Sequence, residues 1–445
     1  MVILDTALAR CHEDGTPVRV GIVGAGYLGR GMALQIVSAI RGMRLVAISN
    51  RTLSKAEQAY TQAGIHDIET VHSVEALEEA VAQDRYAITD DAHLLCRAEG
   101  IDVIIEATGT IEFAAHVVLD AMEHGKHVVL MNAELDGTLG PILKVYADRA
   151  GVVFTDADGD QPGVVMNLFR FVKTIGYDPV LVGNIKGMLD EYRTPETQRA
   201  FAEQFEQEAK MVTSFADGTK VSLEQAVIAN ATGFGVSTRG MRGPACDHVL
   251  ESLDHFDLEA LLDGGQVDYI LGAEPGPGVF VIGYNDNPIL RQYGTVYKMG
   301  DGPFYVFYLP YHMPHLEGPL SAARAALFHD AAIAPTGGPV CEVITAAKRD
   351  LDAGETLDGM GGFLSYGVID NADTCRHENL LPIGLSEGAV LKRAVPKDEP
   401  VTFDDVHIPE GRLVDRLYAE QNAYFGDGAE GCLDALDAIT QEAGA

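Results

Sequence analysis

Three groups of residues in this sequence have the types and spacing to do chemistry. The first is Gly24-Ala25-Gly26-Tyr27-Leu28-Gly29, placed directly after the apolar run Val18-Arg-Val-Gly-Ile-Val23. Glycines in a G-x-G-x-x-G pattern allow a tight turn, close backbone approach to a pyrophosphate, and close strand–helix contact. The second group is acidic, with one lysine: Asp156, Asp158 and Asp160 alternate, and Lys186 ends a mostly apolar run that begins at Val180. Alternating carboxylates beside a glycine suit Mg2+ or Mn2+ on Asp156 and Asp158; equally, they cap the helix that follows. An ammonium in an apolar strand polarises a carbonyl or protonates an alkoxide, or else forms half of a structural ion pair. The third group is the loop Asn230-Ala-Thr232 to Arg239-Gly-Met-Arg242, two guanidiniums three residues apart among small residues. Such a loop suits a carboxylate or phosphate, with surface salt bridges as the alternative. Lys298 and His312 lie in the aromatic stretch Tyr297 to His315 and complete the catalytic candidates, although a lone histidine is more often a core residue.

The elements that must position these groups follow from periodicity. Leu28, Met32, Ile36 and Ile40 recur every four residues, the stripe of a helix lying on a sheet. A second strand, Arg44 to Ser49, ends in Asn50-Arg51-Thr52, where an acid would hold the ribose 2′-hydroxyl of NAD. With the acid absent and a guanidinium offered, a 2′-phosphate is accommodated, and the expected cofactor is NADPH. Two more strands end at Thr108-Gly109 and Asn132-Ala-Glu134, which should face nicotinamide and ribose, and a last parallel strand covers 151–155. The expected fold class is α/β. A Rossmann doubly wound parallel sheet (1–163, with an N-terminal helix) precedes an α+β substrate domain (164–339) and a small β-rich C-terminal module (340–445).

Composition narrows the setting. The 445 residues carry a formal net charge of -34, a field that repels nucleic acid and anionic membrane. No apolar run reaches the ~18 residues of a membrane span, and the start lacks a signal peptide's basic and apolar regions, so a cytoplasmic location is expected. The six cysteines are scattered without a Cys-x-x-Cys pair, which argues against structural zinc.

Two stretches carry a resemblance. Ala347-Lys-Arg-Asp-Leu-Asp-Ala-Gly-Glu-Thr-Leu357 resembles the opening of a SAF domain, and Ala394-Val-Pro-Lys-Asp-Glu-Pro-Val-Thr-Phe-Asp-Asp-Val406 its close. A homoserine-dehydrogenase-like Rossmann half joined to a SAF-type tail resembles the reductoisomerase-like oxidoreductases that replace 1-deoxy-D-xylulose 5-phosphate reductoisomerase in some bacteria. That resemblance implies NADPH-dependent conversion of 1-deoxy-D-xylulose 5-phosphate to 2-C-methyl-D-erythritol 4-phosphate by a homodimer. Arg239 and Arg242 would then clamp the substrate phosphate, while Lys186 or the aspartates with a cation polarise its oxygens. Conventional reductoisomerases bind metal through Asp-x-Glu; here the comparable strand end reads Asp156-Ala-Asp158. Two alternatives stay open: a homoserine-dehydrogenase-like or polyol-phosphate dehydrogenase using NADP, and a non-catalytic NADP(H)-sensing scaffold.

Overall fold

The computed structural model describes residues 3–426. Seven strands form one parallel sheet: β1 (Val18–Val23), β2 (Met43–Ser49), β3 (Ile68–Thr70), β4 (Tyr86–Thr89), β5 (Val103–Glu106), β6 (His127–Leu130) and β7 (Phe154–Asp156). Their order is β3-β4-β2-β1-β5-β6-β7. The chain reverses direction across the sheet between β1 and β5, which opens a crevice at the carboxyl ends of those two strands. This is the doubly wound sheet expected from the sequence, with two short strands, β3 and β4, that the apolar pattern did not reveal. The N-terminal helix α1 (Leu4–Glu13) and α2 (Tyr27–Ser38), with Met32, Ala33 and Ile36 buried, lie on it. The helices α3 (Ile111–Glu123) and α4 (Ala133–Ala150) follow β5 and β6.

A second sheet has the order β11-β10-β8-β9, built from β8 (Asp178–Lys186), β9 (Gln266–Leu271), β10 (Gly278–Tyr284) and β11 (Phe304–Leu309). Only the β8–β9 pair is parallel. One face is covered by α5 (Gln161–Thr174) and α6 (Thr219–Thr232). Twelve consecutive positions of α6 apart from Lys220, from Thr219 to Ala231, are buried. A helix enclosed on all sides is a core helix, and α6 stands between α4 of the first sheet, the second sheet, and the C-terminal hairpin of β12 (Cys341–Ala347) and β13 (Ser365–Asn371).

The expected boundaries at 163 and 339 do not divide the packing. Helix α7 (Pro314–Phe328) leaves the second sheet and returns to the first, burying Ala322 and Ala323 with Met32 and Val129. The Asp156 N–H then donates to the Ile333 carbonyl at 3.1 Å. The C-terminal segment is β-rich, as expected, with the further short pair β14 (Val390–Leu391) and β15 (Val406–His407). It is not a separate body, however: Leu351, Leu385, Val395 and, from α8 (Leu413–Gly426), Leu417 share one core with Leu135, Leu139 and Ile142 of α4. No helix among the described residues is long and apolar enough to cross a membrane.

One buried ion pair fastens the C-terminal hairpin to the substrate half. Lys348 Nζ donates to Asp217 Oδ2 at 2.8 Å and to the carbonyls of Arg193 (2.7 Å) and Gly362 (2.8 Å), which uses all three of its protons. Removing one partner strands a buried charge, so Lys348→Met should destabilise by about 3–5 kcal/mol. The double variant Lys348→Met/Asp217→Asn should recover part of that loss. Chemical unfolding of these two variants and of Asp217→Asn checks this, and strictly additive losses would show the pair to be uncoupled.

Candidate active site

The glycine loop occupies the crevice as the sequence requires. Gly24 has φ +103°, and a Cβ there would stand 2.7 Å from the Ala107 carbonyl at the end of β5. A side chain at Gly29 would run into the Gly24 carbonyl, whereas one at Gly26 would meet nothing within 4 Å. Gly26 therefore opens on free space, and as N-cap of α2 it has no side-chain cap, leaving the first N–H groups of Tyr27 and Leu28 for an anion. These residues fit a dinucleotide pyrophosphate. Asn50 Oδ1 accepts from Ala25 N at 3.0 Å and its amide donates to the Thr52 carbonyl at 2.8 Å, so it fastens the loop, while Arg51 beside it is exposed.

Beneath the strand ends lies Glu106, fully buried. Its carboxylate accepts from Thr108 N (2.9 Å), from the Thr108 hydroxyl, and from Asn132 Nδ2 (2.7 Å). Asn132 Oδ1 in turn caps α4 by accepting from Leu135 N at 3.1 Å. Burial pushes the Glu106 carboxyl up to about 7, against the lowering effect of these hydrogen bonds. Thr108, Gly109 and Asn132 are thus set by one hidden acid that sequence reading did not single out.

The ionisable cluster forms where the two sheets meet. Lys186, at the end of β8, donates to Glu224 Oε2 at 2.7 Å and to the Gln161 side-chain carbonyl. Glu224 Oε2 also accepts from the buried Asn184 amide at 2.8 Å. Four residues earlier on α6, Lys220 lies 3.2 Å from Glu134 Oε1 and 3.8 Å from Asp160 Oδ2. Burial alone would lower the Lys220 pKa, but Glu134, Asp160, Glu224 and Asp156 hold it well above its ordinary value. His312 arrives because β11 runs back along β10 to the Lys186 end, pairing Val279 with Leu309. Its Nδ1 lies 3.2 Å from the Gly159 carbonyl. Burial pushes its pKa down and Lys186 adds to this, with Asp160 opposing, so the imidazole is neutral near pH 7.

Lys186, Glu134 and His312 thus belong to one cluster with Lys220, Glu224, Gln161 and Asp160. A signal for the missed pair was present: Lys220 and Glu224 are four apart in a helix otherwise made of small and apolar residues, where charges need a reason.

Other expectations fare differently. The Asp158 carboxylate accepts from Asn167 Nδ2 at 2.8 and 2.9 Å and lies 3.5 Å from Arg324, while its N–H bonds the Ser321 hydroxyl; it ties α5 to α7. Asp156 lies in the interior with no exposure. Among the described residues, the only three His, Cys, Asp or Glu donors close enough to share an ion are Asp120, Glu123 and His124, at the amino end of the sheet opposite the crevice. Lys298 is exposed and follows β10 at its Tyr284 end, which pairs with Asp178. A nine-residue strand, roughly 26 Å, separates that end from Lys186. The anion loop does not reach the cluster. Asn230 and Thr232 close α6, about 15 Å along the helix from Lys220. Asn230 Oδ1 accepts from Val340 and Cys341 N–H groups, and the Thr232 hydroxyl bonds the Ile228 carbonyl. Arg239 is held by Asp370 (2.7 Å) and Glu378 (2.6 Å). It lines, with the exposed Arg242, Tyr269 and Tyr366, a separate cavity of about 330 Å3.

Comparison with known proteins agrees with this division. Residues 24–143 match the family model of the homoserine dehydrogenase NAD binding domain, and residues 159–318 that of the catalytic domain of oxidoreductase DRL. A homoserine dehydrogenase from Methylobacillus glycogenes is 27% identical over 127 residues, which is 27% of this chain and 26% of that protein. The match thus spans about a quarter of the relative's length. Among solved structures, a probable dehydrogenase from Thermotoga maritima aligns at 13% identity and a TM-score of 0.39, over 60% of this chain and 73% of its own. Apo scyllo-inositol dehydrogenase from Lactobacillus casei aligns at 14% identity and a TM-score of 0.39, over 71% and 89%. Residues 24–143 are thus similar to a homoserine dehydrogenase NAD binding domain and residues 159–318 to the catalytic domain of oxidoreductase DRL.

The Glu106 network makes a pH prediction. Its folded pKa is raised, so its contribution is full below the ordinary value of 4.5 and is lost as pH rises through about 7. That loss amounts to roughly 3 kcal/mol at most. Between about pH 4.5 and about pH 8, the unfolding free energy of Glu106→Gln should therefore rise relative to the unsubstituted protein by up to that amount. Parallel curves for the two proteins would show that Glu106 does not titrate in this range.

Proposed function

We propose that this protein is an NADP(H)-dependent dehydrogenase of the homoserine type, which interconverts a small hydroxyl substrate and its carbonyl. The observation that carries the reading is the pair of lysines held by carboxylates, Lys186 on Glu224 and Lys220 on Glu134, where the second sheet meets the nucleotide crevice. The nicotinamide, when bound, supplies or accepts the hydride. Lys186 is the group to hold a proton at the substrate oxygen: its side chain stands at a strand end and is 20% exposed, against 12% for Lys220, which has four acids around it. In reduction the Lys186 ammonium gives a proton to the developing alkoxide; in oxidation its neutral amine, left once the ammonium has passed a proton to Glu224, takes the hydroxyl proton. Glu224, itself oriented by Asn184, keeps the ammonium in place. Lys220 is a fixed positive charge that stabilises negative charge on the same oxygen.

Charges of both signs line the cluster, and a zwitterionic amino alcohol finds a partner for each of its ends. A phosphorylated sugar would need a concentrated cation, and the arginines expected to supply one stand elsewhere. The choice of NADP(H) rests on Asn50-Arg51, and the SAF likeness of the C-terminal segment adds nothing to the chemistry.

The test follows reduced-nicotinamide absorbance with homoserine, aspartate semialdehyde, polyol phosphates and 1-deoxy-D-xylulose 5-phosphate. Turnover of the amino-alcohol pair is expected, with Lys186→Ala lowering kcat by about 10²–10⁴-fold and Arg242→Ala leaving it unchanged. Arg51→Ala should raise KM for NADPH about tenfold, through loss of a charge-assisted contact of roughly 1.5 kcal/mol, and spare NADH. Turnover of 1-deoxy-D-xylulose 5-phosphate, abolished by Arg242→Ala, would restore the reductoisomerase reading instead.

A further inference from the structure

The end of the arginine loop takes no part in the proposed chemistry, yet it walls a cavity of about 330 Å3 whose geometry is fixed in advance. Asp268, buried on β9, accepts from Arg242 N at 3.0 Å and from Gly243 N at 2.9 Å, which fastens the loop to the second sheet. A Cβ at Gly243 would strike the Tyr269 ring at 2.2 Å, so the glycine lets that ring lie against the loop. Met241, only 8% exposed, holds φ +69°, a strained conformation that persists where its surroundings impose it.

Four charged side chains line this cavity: Glu191, Asp217, Arg239 and Arg242. Asp217 is taken by Lys348, and Arg239 by Asp370 and Glu378. The other two are not taken. Among the described residues, neither the Glu191 carboxylate nor the Arg242 guanidinium forms a hydrogen bond or an ion pair, and the Tyr269 hydroxyl has no hydrogen-bond partner. A tyrosine that is 8% exposed usually finds a partner for its hydroxyl. A carboxylate and a guanidinium that line one cavity without pairing leave a gap, and a molecule carrying both charges bridges it. Two acids balance two arginines in the wall, which leaves no surplus cation for a phosphate. A ligand without net charge also escapes the repulsion of a chain at -34. Leu189, Val221 and Met241 offer apolar contact, and the volume is that of a small-ligand site.

We propose that this cavity is a second ligand site, which takes a zwitterion of the α-amino-acid class. The carboxylate lies on the Arg242 fork and the Tyr269 hydroxyl, the ammonium on Glu191, and a compact side chain against Leu189, Val221 and Met241. The site is distinct from the catalytic cluster. Val221 and Ser222 of α6 line it, and Ser222 stands two residues from both Lys220 and Glu224, about 200° around the helix. Cavity and cluster thus use opposite faces of α6, and both can be filled at once. Tyr366, Gly367 and Val368 of β13 complete the wall, which gives the C-terminal segment a part in binding. Occupancy requires no turnover, so the proposal does not depend on the dehydrogenase reading.

Isothermal titration calorimetry of the full chain tests it, with the common α-amino acids added singly and acetate and methylamine as probes of the two halves. At least one compact amino acid should bind once per chain, with Kd between about 1 µM and about 1 mM. Arg242→Ala and Glu191→Gln should each weaken that binding about tenfold or more, the loss of one charge-assisted contact, and Tyr269→Phe should weaken it less. Neither charged side chain has a partner to lose, so both variants fold. Acetate and methylamine should each bind at least about tenfold more weakly than the amino acid, since each lacks one of the two contacts. No heat with any amino acid overturns the proposal, and so does binding that survives both charge substitutions. Acetate binding as tightly as the amino acid would make the cavity a plain anion site and sink the zwitterion. Binding lost in Lys186→Ala, or displaced by a substrate that the protein turns over, would put the ligand in the catalytic cluster and overturn the second site. Failure of the dehydrogenase reading shows separately, as absence of nicotinamide-linked turnover with the calorimetric binding intact.

Discussion

Lys220 is where the three parts of this chain come together. Its ammonium sits on α6, reaches Glu134 on α4 and Asp160 at the start of α5, and is held charged by the acids around it against the cost of burial. A buried ammonium with fewer partners would give up its proton or exclude itself from the interior. The surrounding acids are equally dependent on it. The arrangement therefore fixes the distance between the nucleotide crevice and the second sheet with a precision that apolar contact alone, being non-directional, does not provide.

Much of the cofactor half was legible in the residues because its chemistry is local. A strand, three glycines and an amphipathic helix occupy the 21 consecutive positions from Val18 to Ser38, and Gly24 and Gly29 each have a steric reason that can be checked in the fold. Lys186 was legible for a related reason, since a lysine in an apolar strand violates a simple pattern. What could not be read were partners brought together by topology: Lys220 and Glu224, on a helix that begins 63 residues after the first sheet ends at Asp156, and α7, which returns to the first sheet after the second is complete. Strands β3 and β4, three and four residues long, are too short for alternation to register.

Within the arginine loop, Arg239 is already neutralised by its surroundings. In a chain with a net charge of -34, a guanidinium finds a carboxylate of its own before it finds a ligand. Arg239 has two, on β13 and just after it. Spacing of cations along a loop says nothing about which acids fold against them. Asp158 illustrates the complementary case, an acid whose place in an alternating pattern suggested metal but whose oxygens are taken by Asn167.

The core shared between α4 and the C-terminal segment bears on how the chain is made. Gln421 Oε1 accepts from Ile142 N at 3.2 Å, and its amide donates to the Thr138 carbonyl at 3.3 Å, across 279 and 283 residues of sequence. During synthesis the first sheet can form its strands early, yet one flank of α4, with Leu135, Leu139 and Ile142, has no cover until the last described helix emerges. For most of translation that apolar flank is exposed, and contacts of such long range form late. The nascent cofactor domain thus keeps an uncovered apolar flank until residues 413–426 arrive to close it.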